Sequence, residues 1–294
     1  MLPAIKKFFA LILAPVYTLF ALIGLPAPPR GPALDWSKFD ETPTWADEFD
    51  GTSLDTAKWR SCHGFWGTSV RRGGYWNMDM IEVKDGCLVI NTDYRPQGID
   101  GGPPGYYSSA IDTDGLFEQA YGYFEVRCKL PRGAGHWAAF WLMCEGVGIE
   151  DGSGRGGAEI DVFESPNYWL RWMPLYGDCV TSNIHYDGYG DAHKKKNICR
   201  TSVPGNPYDE FHTYGLEWNE DEYIIYVDGM ECGRSSFGGT PRVPEYLLLS
   251  VEVDSKGEEW TGVPGSSWAG NITWCKTLPS AFIVDYVRVY QYKS

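Results

Sequence analysis

Three carboxylates fall within one six-residue segment, Glu159-Ile160-Asp161-Val162-Phe163-Glu164. Two close carboxyl groups whose pKa values are pushed apart can break a glycosidic bond. One is ionised and attacks the anomeric carbon, while the other holds a proton for the leaving oxygen. Spacing decides whether they can meet. Residues two apart in an extended strand face the same way, so Glu159 and Asp161 share a face and Ile160 fills the other. Glu164 would point into the core unless a β-bulge near Val162 or Phe163 inserts one extra residue and resets the alternation. With that bulge all three acids line one face, over a backbone span of about 13 Å at roughly 3.3 Å per residue. Two long Glu side chains leaning inward then approach the roughly 5 Å of a retaining pair rather than the 6.5 Å or more of an inverting one. On this reading Asp161 hydrogen-bonds the nucleophile and adds to the field that keeps Glu164 protonated. Two other readings stay open on spacing alone: a solvated strand face, and a calcium site built from hard oxygen ligands.

The elements that must position these residues are strands. Runs rich in β-branched and aromatic residues recur between Gly, Pro, Asn and Asp clusters. They cover Cys87 to Asn91, Gly122 to Leu130, Trp137 to Met143, Ala158 to Phe163, Phe211 to Trp218, Glu222 to Val227, Tyr246 to Val253 and Phe282 to Tyr290. Asp228-Gly229 is a hairpin signal, because both residues tolerate positive φ. Helical spacing is nearly absent, so the fold class is all-β, a sandwich or jelly roll.

Composition narrows the partner. Thirteen Trp, nineteen Tyr and thirteen Phe exceed the needs of a core, and flat amphipathic rings suit the apolar faces of sugars. A net charge of −14 without a basic stripe argues against a nucleic-acid partner. The one basic run, Lys194 to Lys196, reads as a solvated loop. Lys6 and Lys7 precede the uncharged apolar stretch Phe8 to Leu25, followed by Pro26, Pro28, Pro29 and Pro32. Residues 1–27 are therefore expected to be a signal peptide or membrane anchor, 28–40 a Pro-rich linker, and 41–294 one catalytic domain working outside the cytoplasm, as a monomer. Eight cysteines in an export context permit disulfides whose pairing cannot be read, and no zinc spacing occurs.

The acidic segment resembles the signature of glycoside hydrolase family 16, the laminarinase, agarase and endo-galactosidase group, in its bulge-containing form. Further stretches resemble that family in its order: Trp45 to Gly51, Tyr121 to Arg127, Gly135 to Leu142, Phe211 to Trp218 and the closing Val284 to Tyr290. The resemblance implies a concanavalin-like jelly roll of two antiparallel sheets with a concave substrate cleft. It implies Glu159 as nucleophile, Asp161 as assisting acid and Glu164 as acid/base, with no cofactor for catalysis. Trp137 and Trp141, on one strand face, become candidates for stacking on sugar, and His185 for a position bordering the cleft. A structural calcium of the kind many members hold would use Glu48, Gly86 and Asp285, with backbone oxygens from the first two. Leu248 to Gly257 departs from the Gly-Gly version usual in laminarinase-like members, and the segments Arg60 to Asp79 and Trp169 to Asp191 are long and expected to wall the cleft. A β-1,3-glucan is the first expected substrate. A β-galactan comes second, with transglycosylation as a variant of the same chemistry. The rivals from other classes are a non-catalytic carbohydrate-binding protein and an adhesive surface protein.

Overall fold

The structure is a computed structural model that describes residues 24–62, 70–173, 175–255 and 265–294. The leader stretch Phe8 to Leu25 lies almost wholly outside these residues, and among the described residues no helix is long and apolar enough to cross a membrane.

Two sheets form a sandwich. One sheet runs Met230–Ser235, Tyr223–Val227, His212–Trp218, Gly122–Lys129, Ser280–Tyr290 and Cys87–Arg95, then continues into Gly105–Ser108, Gly74–Trp76 and Val70–Arg71. The other runs Lys194–Ser202, Cys179–Tyr186, Glu159–Ser165, His136–Met143, Glu245–Val253, Ala110–Asp112 and Arg60–Ser61. Neighbours in the second sheet pair antiparallel throughout that order. All eight strands expected from the sequence are present, with ends displaced by a few residues. The hairpin at Asp228-Gly229 has the positive φ angles, 49° and 69°, that its composition demands.

Alternation explains which side of the second sheet is core. Ala138, Phe140 and Leu142 face inward from one strand, Leu247, Leu249 and Val251 from its neighbour, and Ile160, Val162 and Phe163 from the acidic strand. They meet Phe124, Val126, Leu216, Trp218, Phe282 and Val284 of the first sheet. Each such side chain, fully buried, contributes about 1.5–3 kcal/mol relative to exposure. The intervening residues Trp137, Ala139, Trp141, Ser250 and Glu252 are thereby forced to the opposite face, where a cleft forms.

The Pro-rich segment corrects the sequence reading: residues 28–40 are packed, not a free linker. Ala27 bridges to Thr201 and Ala33 to Met230, extending the sandwich at one edge. Leu34 and Phe39 are buried, Phe39 stacks on Tyr292 at 4.9 Å between ring centroids, and Trp36 sets its edge against Tyr123 and Tyr290. The prolines hold this stretch extended, and the apolar residues between and after them find a surface to cover. All eight cysteines carry free thiols, and Cys62, Cys128, Cys144 and Cys179 are buried.

Candidate active site

The bulge that the chemistry required is present. Opposite the strand His136–Met143, Phe140 pairs with Phe163 and Trp141 with Asp161, so Val162 is the extra residue. The strand on the other side shows the same slip, with Asn183 opposite Asp161 and Thr181 opposite Glu164. Two consecutive side chains, Val162 and Phe163, consequently both enter the core, and Glu164 rejoins Glu159 and Asp161 on the cleft face. The three acids line one cavity of about 380 Å³ with Arg71, Arg72, Trp137, Trp141 and Tyr189.

Each acid has its own surroundings. Glu159 accepts a hydrogen bond from the Tyr189 hydroxyl. Burial raises its pKa to about 7, and the Tyr189 bond and the charges of Arg71 and Arg72 act against that rise. Glu164 accepts from Trp137 Nε1 at 2.8 Å and from Asn183 Nδ2. Its pKa is pushed up to about 8 by burial and then by the Glu159 charge. Asp161 is driven well above the ordinary range by burial and by the charges of Glu164 and Glu159, and its buried Oδ2 has no hydrogen-bond partner among the described residues. Of the two glutamates, Glu159 is the easier to ionise because the Arg71 and Arg72 charges favour its anion, whereas the Glu159 charge opposes ionisation of Glu164. Glu164 keeps its proton to higher pH, which is the division of labour that acid-assisted nucleophilic cleavage needs.

His185 faces Glu159 across the adjacent strand pair, with Nε2 3.5 Å from Asp161 Oδ2 and 4.0 Å from Glu159 Oε1. Burial, then His193 and Lys195, lower its pKa to about 4, so it is neutral at pH 7 and these contacts are not ion pairs. Its Nδ1 lies 2.9 Å from His193 Nε2. One oxygen each of Glu159 and Asp161 and one nitrogen of His185 lie within 4.8 Å of one another.

Trp137 and Trp141 share the cleft face as expected, but neither is a bare platform. Trp137 is held edge-on to Trp268 at 4.4 Å and lies beneath Arg72 at 4.2 Å. Trp141 donates to Ser250 Oγ at 3.1 Å and forms the floor. Residue types alone did not single out Tyr189, Asn183, Arg71, Arg72 or Glu252. Tyr189 and the two arginines do fall in the two long segments expected to wall the cleft. Glu252, in the departing segment Leu248 to Gly257, is paired with both arginines. Burial would raise its pKa, yet Arg71 and Arg72 hold it below the usual value. Lys195 and Lys196 are not loop residues either: they belong to the edge strand Lys194–Ser202 and border the cleft with Asn183, His185 and Trp268.

At the expected calcium position the carboxylate of Glu48 is engaged by Arg288 at 2.8 Å through each oxygen, and that of Asp285 by Arg127. Gly86 sits in a turn at φ 72°. Two backbone oxygens and the Asp285 carboxylate would leave the rest of the about six to eight oxygens calcium takes to water, and the Arg127 guanidinium competes with an ion for that carboxylate.

Comparison with known proteins agrees with this geometry. The family described as "Beta-porphyranase A-D, GH16 domain" matches residues 36–292. Glucan endo-1,3-beta-glucosidase A1 of Niallia circulans is 27% identical over 92% of this chain, which spans 42% of that protein's length. A beta-glucanase of Rhodothermus marinus is 28% identical, with 84% of each chain covered. Among solved structures, the catalytic domain of an endo-1,3-beta-glucanase (laminarinase) from Thermotoga petrophila superposes with a TM-score of 0.64 at 28% identity, covering 87% of this chain and all of that one. Sandwich, bulge, acidic triplet and relatives point the same way: the chain belongs to glycoside hydrolase family 16 and is a glycosidase with a jelly-roll fold.

Proposed function

We propose that the protein is an endo-acting hydrolase of a β-linked polysaccharide that works with retention of configuration. The observation that carries this is the single bulge at Val162, which sets Glu159 and Glu164 on one face of one cavity, with Glu164 holding its proton to higher pH than Glu159. The Glu159 carboxylate attacks the anomeric carbon while Glu164 gives its proton to the departing glycosidic oxygen, and a covalent glycosyl-enzyme forms. Glu164, now ionised, takes a proton from water; the water oxygen bonds the anomeric carbon and the Glu159 ester bond breaks. Asp161 bears on the nucleophile by position, with neutral His185 beside it.

A β-1,3-glucan is the first substrate, on the strength of the glucanase relatives. A β-galactan is the second reading, favoured by the porphyranase description of the matching family. The catalytic domain acts outside the cytoplasm as a monomer, with residues 8–25 directing export or anchoring the chain. The test is reducing-end release from a panel of β-glucans and β-galactans by wild type, Glu159→Gln and Glu164→Gln, with the anomer of the first product read by NMR. Cleavage of one polymer by wild type alone, giving the β-anomer first, is expected. An α-anomer would sink retention, and binding without cleavage by all three proteins would favour a lectin.

A further inference from the structure

Beyond the cleft, on the far side of the loop 266–270, lies a second cavity of about 540 Å³ whose lining includes Tyr168, Trp169, Trp172, Trp274, Arg171 and Lys276. Three indoles in one place are exposed there: Trp172 at 76%, Trp274 at 54% and Trp169 at 37%. A surface that leaves large apolar groups in water side by side, rimmed by charged residues, marks a binding site. The rings are not flush. Trp169 and Trp274 lie 6.5 Å apart with planes inclined by 58°, which makes an angled trough rather than a flat patch.

This trough is tied to the active site through the loop that divides them. Trp169 Nε1 donates to the Trp268 carbonyl at 3.0 Å, and Trp268 itself lines the cleft and packs edge-on to Trp137, the residue that holds Glu164. The loop is fixed from beneath by buried Asp254, which accepts from the backbone of Ser266, Ser267 and Ala269. Gly270, at φ 82°, leaves room for the Trp169 ring: a Cβ there would come within 2.9 Å of it. The loop therefore touches Trp137 of the cleft through Trp268 and Trp169 of the trough through the Trp268 carbonyl and Gly270.

We infer that Trp169, Trp172 and Trp274 form a second polysaccharide-binding site that holds the same polymer the cleft cleaves. Apolar sugar faces lie on the indoles, and Arg171 and Lys276 donate to ring hydroxyls at the rim. This rests on the hydrolase reading above. Polymer is held near the cleft without any part in bond breaking, so the site lowers KM for long chains and leaves short ones unaffected.

The test uses the full chain with Trp172→Ala and Trp274→Ala combined, and Trp172→Tyr as the conservative control. Soluble β-1,3-glucan and its tetrasaccharide are the probes, or a soluble β-galactan and its tetrasaccharide if the substrate panel selects that polymer. The double variant is expected to raise KM for polymer by roughly tenfold, with kcat and the tetrasaccharide kcat/KM unchanged. In the Glu159→Gln background it should weaken retardation in a gel containing the polymer to what the cleft alone supplies, and Trp172→Tyr should keep most of it. Unchanged polymer KM and retardation, with wild type active, overturns the site. So does a shift from dimer to monomer on sedimentation, which would make the trough a contact between copies. Failure of wild type to cleave any polymer refutes the hydrolase reading instead, and retardation of Glu159→Gln compared with and without the Trp172→Ala and Trp274→Ala substitutions then decides the trough independently.

Discussion

Replacing Glu164 by glutamine should disable the enzyme and, above weakly acidic pH, stabilise it. The Glu164 carboxyl has a folded pKa of about 8, against about 4.3 for an unfolded glutamate. A group whose folded pKa is raised contributes stability that is full below the unfolded value and is lost as pH rises through the folded one. Over that window the loss runs at about 1.4 kcal/mol per pH unit, because folding must take up a proton. Glutamine carries no such charge. Its penalty is one bond: Asn183 donates to Oε2 and cannot flip, since its own Oδ1 accepts from Asn197 at 2.9 Å, so an amide NH2 there meets another donor at a cost of about 1 kcal/mol. The two effects cancel near pH 5, and by pH 8 the variant should be more stable on the order of 3 kcal/mol. Urea unfolding of both proteins at pH 5, 6.5 and 8 measures the difference, and polymer hydrolysis should fall by at least about 10² in kcat/KM. A stability difference that does not change with pH would refute the claim that Glu164 is a buried acid held protonated, and the assignment of acid/base would go with it.

Activity should depend on pH as a bell whose acid limb belongs to Glu159, near 7, and whose basic limb belongs to Glu164, near 8. Tyr189→Phe removes a donor to the Glu159 anion, so kcat/KM profiles should show the acid limb moved to higher pH while the basic limb stays; an unmoved acid limb would dismiss that bond. Trp137→Phe removes the donor to Glu164 Oε1 and should move the basic limb upward, which the same profiles decide. Deleting Val162 removes the inserted residue and restores strict alternation with Glu164 still on the cleft face, four positions from Glu159, so hydrolysis should remain detectable in the protein that circular dichroism finds folded; its complete loss there would dismiss Val162 as the extra residue. Phe39→Ala leaves a hole against Tyr123 and Tyr292 and should cost about 3 kcal/mol in urea titration, whereas a free linker would show no change.

The strands were legible because their two faces have different solvents. Leu247, Leu249 and Val251 must be dry, and the period of two follows from that alone. The bulge was legible for a related reason: Val162 and Phe163 are adjacent and both apolar, which a strand with one wet face tolerates only where an extra residue is inserted. Residues 28–40 were misread because prolines signal extended backbone without saying whether a surface lies beside it. Leu34, Trp36 and Phe39 between them were the evidence for packing. The charged lining of the cleft was only half legible. Arg71, Arg72 and Tyr189 come from segments with no periodicity, and their meeting with Glu252 and Glu159 is decided by tertiary placement. The Lys194 to Lys196 run looked like loop because an edge strand facing water has no hydrophobic alternation to display.

That division between strands and segments bears on specificity. The acidic triplet and the tryptophans of His136–Met143 are fixed by sheet register, so a change of substrate cannot come from moving them without moving the core behind them. The groups that can vary are carried by the segments around 70–72, 189–193 and 266–270, and by the edge strand at 195–200. Here those segments bring Arg71, Arg72, Lys195, Lys196 and Arg200 to a cleft whose own acids are held largely protonated until neutral pH. Glu252 pairs with both arginines, while Lys195, Lys196 and Arg200 line the neighbouring stretch of the cleft. A chain with a net charge of −14 thus gathers five cations at its candidate cleft. Substitutions at Lys195, Lys196 and Arg200 should therefore alter which polymer is preferred before they alter how fast a bound glycosidic bond is broken.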